Sequence, residues 1–296
     1  MNLRQIQKMM ERKKAAHKGE SGYALIIGGS PEYAGAVALA GLAALRAGCD
    51  SVTVAAPEKV AWAINAVAPD LITYKIKGPA FTVKTAKELV KLAEKFDAVL
   101  IGNGIGRKAD NFCHYFIRKC QKPKVIDADA LKGLSFKDFS NSVLTPHEKE
   151  LEAMLLNSSK EFLLPKLKEG NAKERAEVLQ GNLRYFLQNN NVLVVKGVTD
   201  LVISRNKVVF NRTGNQGMAK AGTGDVLAGI IVGFLAKSQD LFKSAVAGTF
   251  INGHVGDLLL KKRKGYSFIA SDIVADIPKV TALLRRQRQQ KKRKRR

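Results

Sequence analysis

Residues 214–225, Gly-Asn-Gln-Gly-Met-Ala-Lys-Ala-Gly-Thr-Gly-Asp, run straight into an apolar helical pattern that opens Val-Leu-Ala-Gly-Ile-Ile-Val-Gly-Phe. Glycines at 222 and 224 allow a ligand to approach the backbone closely. Amides at a helix start point outward and carry partial positive charge, which suits a phosphate group and the charge that develops when it is transferred. A carboxylate at Asp225 would repel that phosphate, unless its task is to take a proton from an attacking hydroxyl. Asp is also a favoured N-cap. From the turn alone, base and cap are equally good readings.

Other segments supply compatible chemistry. Lys196-Gly197-Val198-Thr199-Asp200 sets a cation beside a glycine turn, as a nucleotide phosphate or ribose would need, although such turns are common loop chemistry. Gly102-Asn-Gly104-Ile-Gly106 lacks the third spaced glycine and the later acidic partner of a dinucleotide fingerprint, which disfavours a plain nicotinamide Rossmann site. Thr145-Pro-His147-Glu-Lys-Glu150 has the look of a helix start capped by Thr145 or His147. As functional groups, His147 could touch a substrate and Glu150 could order a magnesium-bound water. Asp127 and Asp129, two residues apart, are turn formers or metal assistants. Gly28 to Ala36 (GGSPEYAGA) reads as a tight turn with close backbone approach. None of the four histidines belongs to a metal cluster, and no Ser-His-Asp or Cys-His arrangement emerges.

These turns need strands to hold them. Tyr23–Gly28, Ser51–Ala55, Asp97–Ile101, Lys124–Ile126 and Val192–Val195 are short, apolar and rich in branched residues. Helical patterns lie between or after them at 34–47, 82–95, 110–120 and 146–156, and a helix opens at Pro57. Alternation of this kind predicts a mostly parallel sheet with helices on both faces. Val202–Ser204 and Val208–Phe210 predict an antiparallel hairpin at the sheet edge. Apolar helices at 223–236, 243–260 and 271–284 finish the pattern. In such a sheet, ligands bind beyond the carboxyl ends of the strands. The chain reads as one domain over 1–284, followed by a basic, disordered tail at 285–296.

Composition narrows the classes. With 296 residues and 46% apolar content the chain can bury a large core, yet no apolar run is long enough to span a bilayer. The N-terminus lacks the apolar centre of a secretory signal. Cys49, Cys113 and Cys120 have no metal-ligand spacing and read as reduced, packed thiols, which predicts a cytoplasmic protein. The net charge is +24, and nine of the last twelve residues are basic, so removing those nine charges still leaves +15. Such a run is a solvated extension or, less commonly, a nucleic-acid-binding tail. No aromatic residue interleaves it, so base stacking is unsupported.

Taken together, HKGESG (17–22), GGSPEYAGA, GNGIG, DADAL, TPHEKE, KGVTD, Asn211–Gly229, Phe250–Asp257 and Ala270–Pro278 resemble the ADP- or ATP-dependent NAD(P)H-hydrate dehydratases in consistent order. The resemblance implies a three-layer, ribokinase-like α/β fold and a metabolite-repair lyase that removes water from hydrated NADH or NADPH. It implies ADP or ATP as co-substrate, with this chain closer to the ADP-using group, and Mg2+. It further implies that Ala36, Gly104, His147 and Asp225 contact the hydrated nicotinamide nucleotide, with Asp225 as catalytic base. Lys196, Gly197, Val198, Thr199, Asp200 and Gly224 would hold the adenine nucleotide. Gln216 and Ala221 depart from the Pro and Gly common in the family. Family members are commonly homo-oligomers, and an epimerase domain often fused upstream would have to come from a separate protein. The rival readings are a small-molecule (vitamin precursor) kinase of the same fold, which tends to carry Cys where this chain has Asp225, and a non-catalytic nucleotide- or RNA-binding protein worked by its tail.

Overall fold

The computed structural model describes residues 3–11, 17, 19–78, 81–263 and 265–293. Nine strands form a single sheet in the order β3-β2-β1-β4-β5-β6-β7-β8-β9. They are β1 (Tyr23–Ile27), β2 (Ser51–Pro57), β3 (Ile72–Ile76), β4 (Ala98–Ile101), β5 (Lys124–Ile126), β6 (Ser142–Leu144), β7 (Val192–Val195), β8 (Asp200–Ile203) and β9 (Val208–Asn211). Pairings from β3 across to β7 are parallel, and β8 and β9 add the antiparallel edge hairpin that the sequence predicts. Twelve α-helices cover the sheet among the described residues. The first six are α1 (Leu3–Met10), α2 (Ala34–Ala47), α3 (Glu58–Val67), α4 (Val83–Ala93), α5 (Asp110–Lys119) and α6 (Glu148–Asn157). They are followed by α7 (Leu164–Glu169), α8 (Ala172–Asn182), α9 (Arg184–Gln188), α10 (Thr223–Ser238), α11 (Leu241–Arg263) and α12 (Ala270–Arg293).

Side-chain alternation on the strands builds two cores. Leu25, Ile27, Val99, Ile101, Ile126, Leu144 and Leu193 pack under α4, α5, α6 and α8. Ala24, Ile26, Val52, Val54, Leu100, Val125 and Val143 pack under α2, α3, α10 and α11. Outside that second helical layer, α1 and α12 close a third cluster over α10 and α11. The mostly parallel sheet with helices on both faces is therefore as predicted. No helix among the described residues is long and apolar enough to cross a membrane. All three cysteines are buried.

Two strands escape the sequence reading. β3 lies at the sheet edge with alternate residues exposed, and β6 is only three residues, buried on both faces. Pro57 ends β2 and precedes α3 instead of sitting inside it. The basic segment also differs from expectation: backbone helix continues through Arg293, while 294–296 lie outside the described residues. Arg, Lys and Gln are all good helix formers, and nothing between Leu283 and Arg293 breaks the helix.

Candidate active site

Sheet register lines up the functional turns. Ile27 pairs with Ile101, Ile101 with Ile126, and Ile126 with Leu144, so Gly28, Gly102, Asp127 and Thr145 all leave the sheet at one level. Backbone amides lock this row: Gly102 N donates to Ile27 O, Asp127 N to Ile101 O, and Thr145 N to Ile126 O. Lys196, just past β7, joins it by donating its amide to Pro146 O. This is the carboxyl-end crevice where open α/β sheets bind ligands.

The start of α10 faces that row. Its N-cap is Gly222, in a left-handed conformation (φ 90°), where a Cβ would fall 2.8 Å from Ala270 Cβ and 2.9 Å from Leu39 Cδ1. Gly222 offers no side-chain acceptor, so the amides of the first turn take no side-chain cap. Asp225, the third residue of the helix, is thus not the N-cap. Its Oδ1 accepts from Asn103 Nδ2 at 2.6 Å. The same Asn103 nitrogen donates to Asp127 Oδ2 at 3.0 Å. Asp127 Oδ1 in turn accepts from Thr145 Oγ1 at 2.7 Å and from Lys196 Nζ at 3.0 Å. Lys196 Nζ also stands 3.8 Å from Glu150 Oε2 and 3.6 Å from where a Cβ on Gly224 would fall. A cation therefore lies directly beside the open helix start.

Burial and neighbouring charge set the ionisation of this group. Burial, helped by the Asp127 charge, pushes the Asp225 carboxyl up to about 6, against the Asn103 hydrogen bond and the Lys196 charge. Burial pulls Lys196 the other way, but Asp127, Glu150 and Asp225 outweigh it and hold the ammonium above its ordinary value. A base poised near neutrality beside a fixed cation is the arrangement that proton abstraction coupled to phosphoryl transfer requires.

The other sequence-selected residues divide into groups. Gly104 has φ 62°, and a Cβ there would lie 3.1 Å from Ala36 Cβ and 2.7 Å from Tyr33 O, so Ala36 and Gly104 are adjacent on the Asn103 side of the crevice. His147 is the N-cap of α6 in a reciprocal capping box: its Nδ1 accepts from Glu150 N at 3.2 Å, and Glu150 Oε2 accepts from His147 N at 2.8 Å. Thr145, the alternative cap, instead spends its hydroxyl on Asp127. In the 196–200 turn, Asp200 accepts from Gly197 N and from Asn211 Nδ2, each at 3.0 Å. Burial raises its pKa against those bonds and the Lys196 charge. Val198 is fully exposed at the tip. Asp200 thus shapes the turn with its own carboxylate.

Metal chemistry has limited footing. No group of three or more His, Cys, Asp or Glu among the described residues could cage an ion. Both oxygens of Asp127 are taken, and Asp129 is bound by Gly106 N and Lys132. Glu150 Oε2 is likewise engaged, by the His147 amide.

Sequence reasoning passed over Asn103 as an individual residue and Asp127 as the hub. A polar side chain between two glycines at a strand end was the available signal for the first.

The family model described as NAD(P)H-hydrate dehydratase matches residues 24–279. A bifunctional NAD(P)H-hydrate repair enzyme from Methanothermobacter thermautotrophicus is 37% identical over 283 residues, covering 91% of this chain and 51% of the relative. The chain thus spans about half the length of the curated relatives it matches. An ADP/ATP-dependent NAD(P)H-hydrate dehydratase from Bacillus subtilis, co-crystallised with ATP and Mg2+, is 26% identical and superposes with a TM-score of 0.79 over 96% of this chain and 97% of that one. A ribokinase from Thermotoga maritima, 15% identical, shares the fold with a TM-score of 0.55 over 87% of this chain and 99% of that one. With its fold shared and its match running from β1 into α12, this chain belongs to the NAD(P)H-hydrate dehydratase family.

Proposed function

We propose that the chain is an ADP-dependent dehydratase that restores NADH and NADPH from their hydrates, with Asp225 as the base. One observation carries this reading: a largely buried carboxyl, Asp225, in the first turn of α10, whose N-cap offers no side-chain acceptor, with Lys196 beside it. Hydroxide is a poor leaving group, so the ring hydroxyl must first be converted to a phosphate ester. Asp225 takes the hydroxyl proton as that oxygen attacks the terminal phosphorus of ADP, whose bond to the bridging oxygen breaks and releases AMP. Amides at the α10 start and the Lys196 ammonium hold the phosphoryl oxygens. Phosphate then leaves the ring carbon, pushed by the ring nitrogen. Loss of a proton from the neighbouring carbon completes the dihydropyridine.

In this reading the 196–200 turn and Gly224 hold the nucleotide, while Ala36, Gly104 and His147 border the hydrated ring. Magnesium would arrive with the nucleotide and neutralise phosphate charge, with Glu150 meeting it through water. We extend the proposal to a homo-oligomer in the cytoplasm that works alongside an epimerase activity.

The test incubates the chain with hydrated NADH, Mg2+ and either ADP or ATP, following the return of reduced-ring absorbance in the near ultraviolet. Asp225→Asn should nearly abolish the signal, a loss of at least 10²-fold being typical for a missing general base, and leave nucleotide binding intact. Accumulation of a phosphorylated hydrate without the reduced ring would favour a kinase and sink the dehydratase reading.

A further inference from the structure

We propose that Asn103 is a positioning residue whose carboxamide holds the Asp225 and Asp127 carboxylates apart in a fixed geometry and keeps Asp225 ionised for proton abstraction. It rests on the reading of Asp225 as the base.

The support is geometric. Asn103 is wholly buried, and its single amide nitrogen bridges Asp225 Oδ1 at 2.6 Å and Asp127 Oδ2 at 3.0 Å, residues 122 and 24 positions away in sequence. Two buried carboxylates facing each other repel, and the like charge drives one to protonate. A neutral donor pair between them satisfies both without adding charge. The other charges around the pair are the Lys196 ammonium on the far oxygen of Asp127 and, beyond it, Glu150. Lys196 therefore neutralises Asp127, and the group that bonds Asp225 itself is Asn103.

The Asn103 backbone is fixed as firmly as its side chain. Gly29 N donates to Asn103 O at 2.9 Å, and a Cβ on Gly28 would fall 2.3 Å from that oxygen. Gly102 (φ 122°) and Gly104 (φ 62°) flank it in left-handed conformations. The turn thus presents the carboxamide in one orientation before any ligand arrives, which is the preorganisation that acid–base chemistry exploits.

Asn103 Oδ1, in contrast, is buried without a hydrogen-bond partner. An apolar side chain would avoid that orphaned acceptor but would leave both carboxylates without the donor they share. The Asn103 nitrogen donates to Oδ1 of the Asp225 carboxylate and leaves its Oδ2 to take the substrate proton.

The experiment compares Asn103→Leu, which keeps the branching at Cγ, and Asn103→Ala with the parent chain. Turnover with hydrated NADH and ADP should fall about 10²-fold at neutral pH with KM for ADP little changed, and the acid limb of the kcat profile should move to higher pH. Without the donor, Asp225 ionises later, so activity should partly recover as pH rises. A uniform loss with an unmoved limb, or a change confined to KM, overturns the proposal. Carboxyl carbon NMR of Asp225 in the unliganded protein is independent of activity: its titration should move upward in both variants, and an unchanged midpoint also overturns the proposal. Should neither variant fold, the parent chain still decides, because the Asn103 side-chain amide protons should follow the Asp225 titration with the same midpoint. No turnover of hydrate by the parent chain, with the NMR behaviour as stated, would count against the dehydratase reading and leave the pairing standing.

Discussion

Asp225 is worse placed for stability than for chemistry. Its folded pKa lies at about 6 against an ordinary 3.8, so the folded state holds a proton that the unfolded state has already released. Linkage then has stability falling as pH rises between these values: the carboxyl's favourable contribution is complete below about 4 and gone above about 6. Asp225→Asn should therefore raise the melting temperature at pH 8 and leave it unchanged at pH 4, with a gain of order 1–3 kcal/mol at the higher pH. Parallel thermal melts at the two pH values check this. Under the proposed function, turnover of the parent chain should follow the opposite trend, climbing through about pH 6 as Asp225 ionises. Lys196 offers a second test at this scale. Lys196→Met leaves the Asp127 and Glu150 carboxylates near each other without their common cation. We expect about 3–5 kcal/mol of lost stability in denaturant titrations from the broken pairing and, under the proposed nucleotide-binding role, a raised KM for ADP.

At the scale of elements, the contact between α2 and α10 decides where Asp225 sits. Glycines at 229 and 233 let α10 press its backbone onto α2: a Cβ at Gly229 would fall 2.2 Å from Ala40 O, and one at Gly233 would fall 2.6 Å from Ala44 O. Gly229→Ala must push the helices apart, at about 1–3 kcal/mol for overpacking. The measurable outcome is a lower melting temperature together with a fall in kcat larger than that in an equally destabilised variant on α8. Elements of this kind were legible beforehand: Gly-Thr-Gly-Asp followed by an apolar run marked α10, and buried runs marked β1, β2, β4, β5 and β7. β6 was not, because three residues carry no period, and β3 was not, because an exposed edge strand loses its apolar signature. The capping pair His147 and Glu150, three residues apart, could be read locally. The Asn103–Asp225 bond could not, since no local pattern records a contact spanning 122 positions. Asp127 was visible as a carboxylate at the rim, but its task as hub depends on Thr145 and Lys196, which reach it from two other strands.

For the whole molecule, the +24 charge makes the surface attractive to anions of every kind. We expect truncation after residue 284 to preserve turnover while lowering the salt concentration that elutes the protein from a polyanion column. Loss of turnover on truncation would give the basic segment a part in the site. A different consequence follows from the row of turns at 28, 102, 127, 145 and 196. Each comes from a separate strand, and the pieces meet only when β1, β4, β5, β6 and β7 are all paired. A stretch ending before β7 therefore lacks Lys196, and one ending before α10 lacks Asp225. In a urea titration, turnover should vanish at the same midpoint as the far-ultraviolet signal, which makes the enzyme's catalytic rate a direct gauge of how much of the population has its sheet complete.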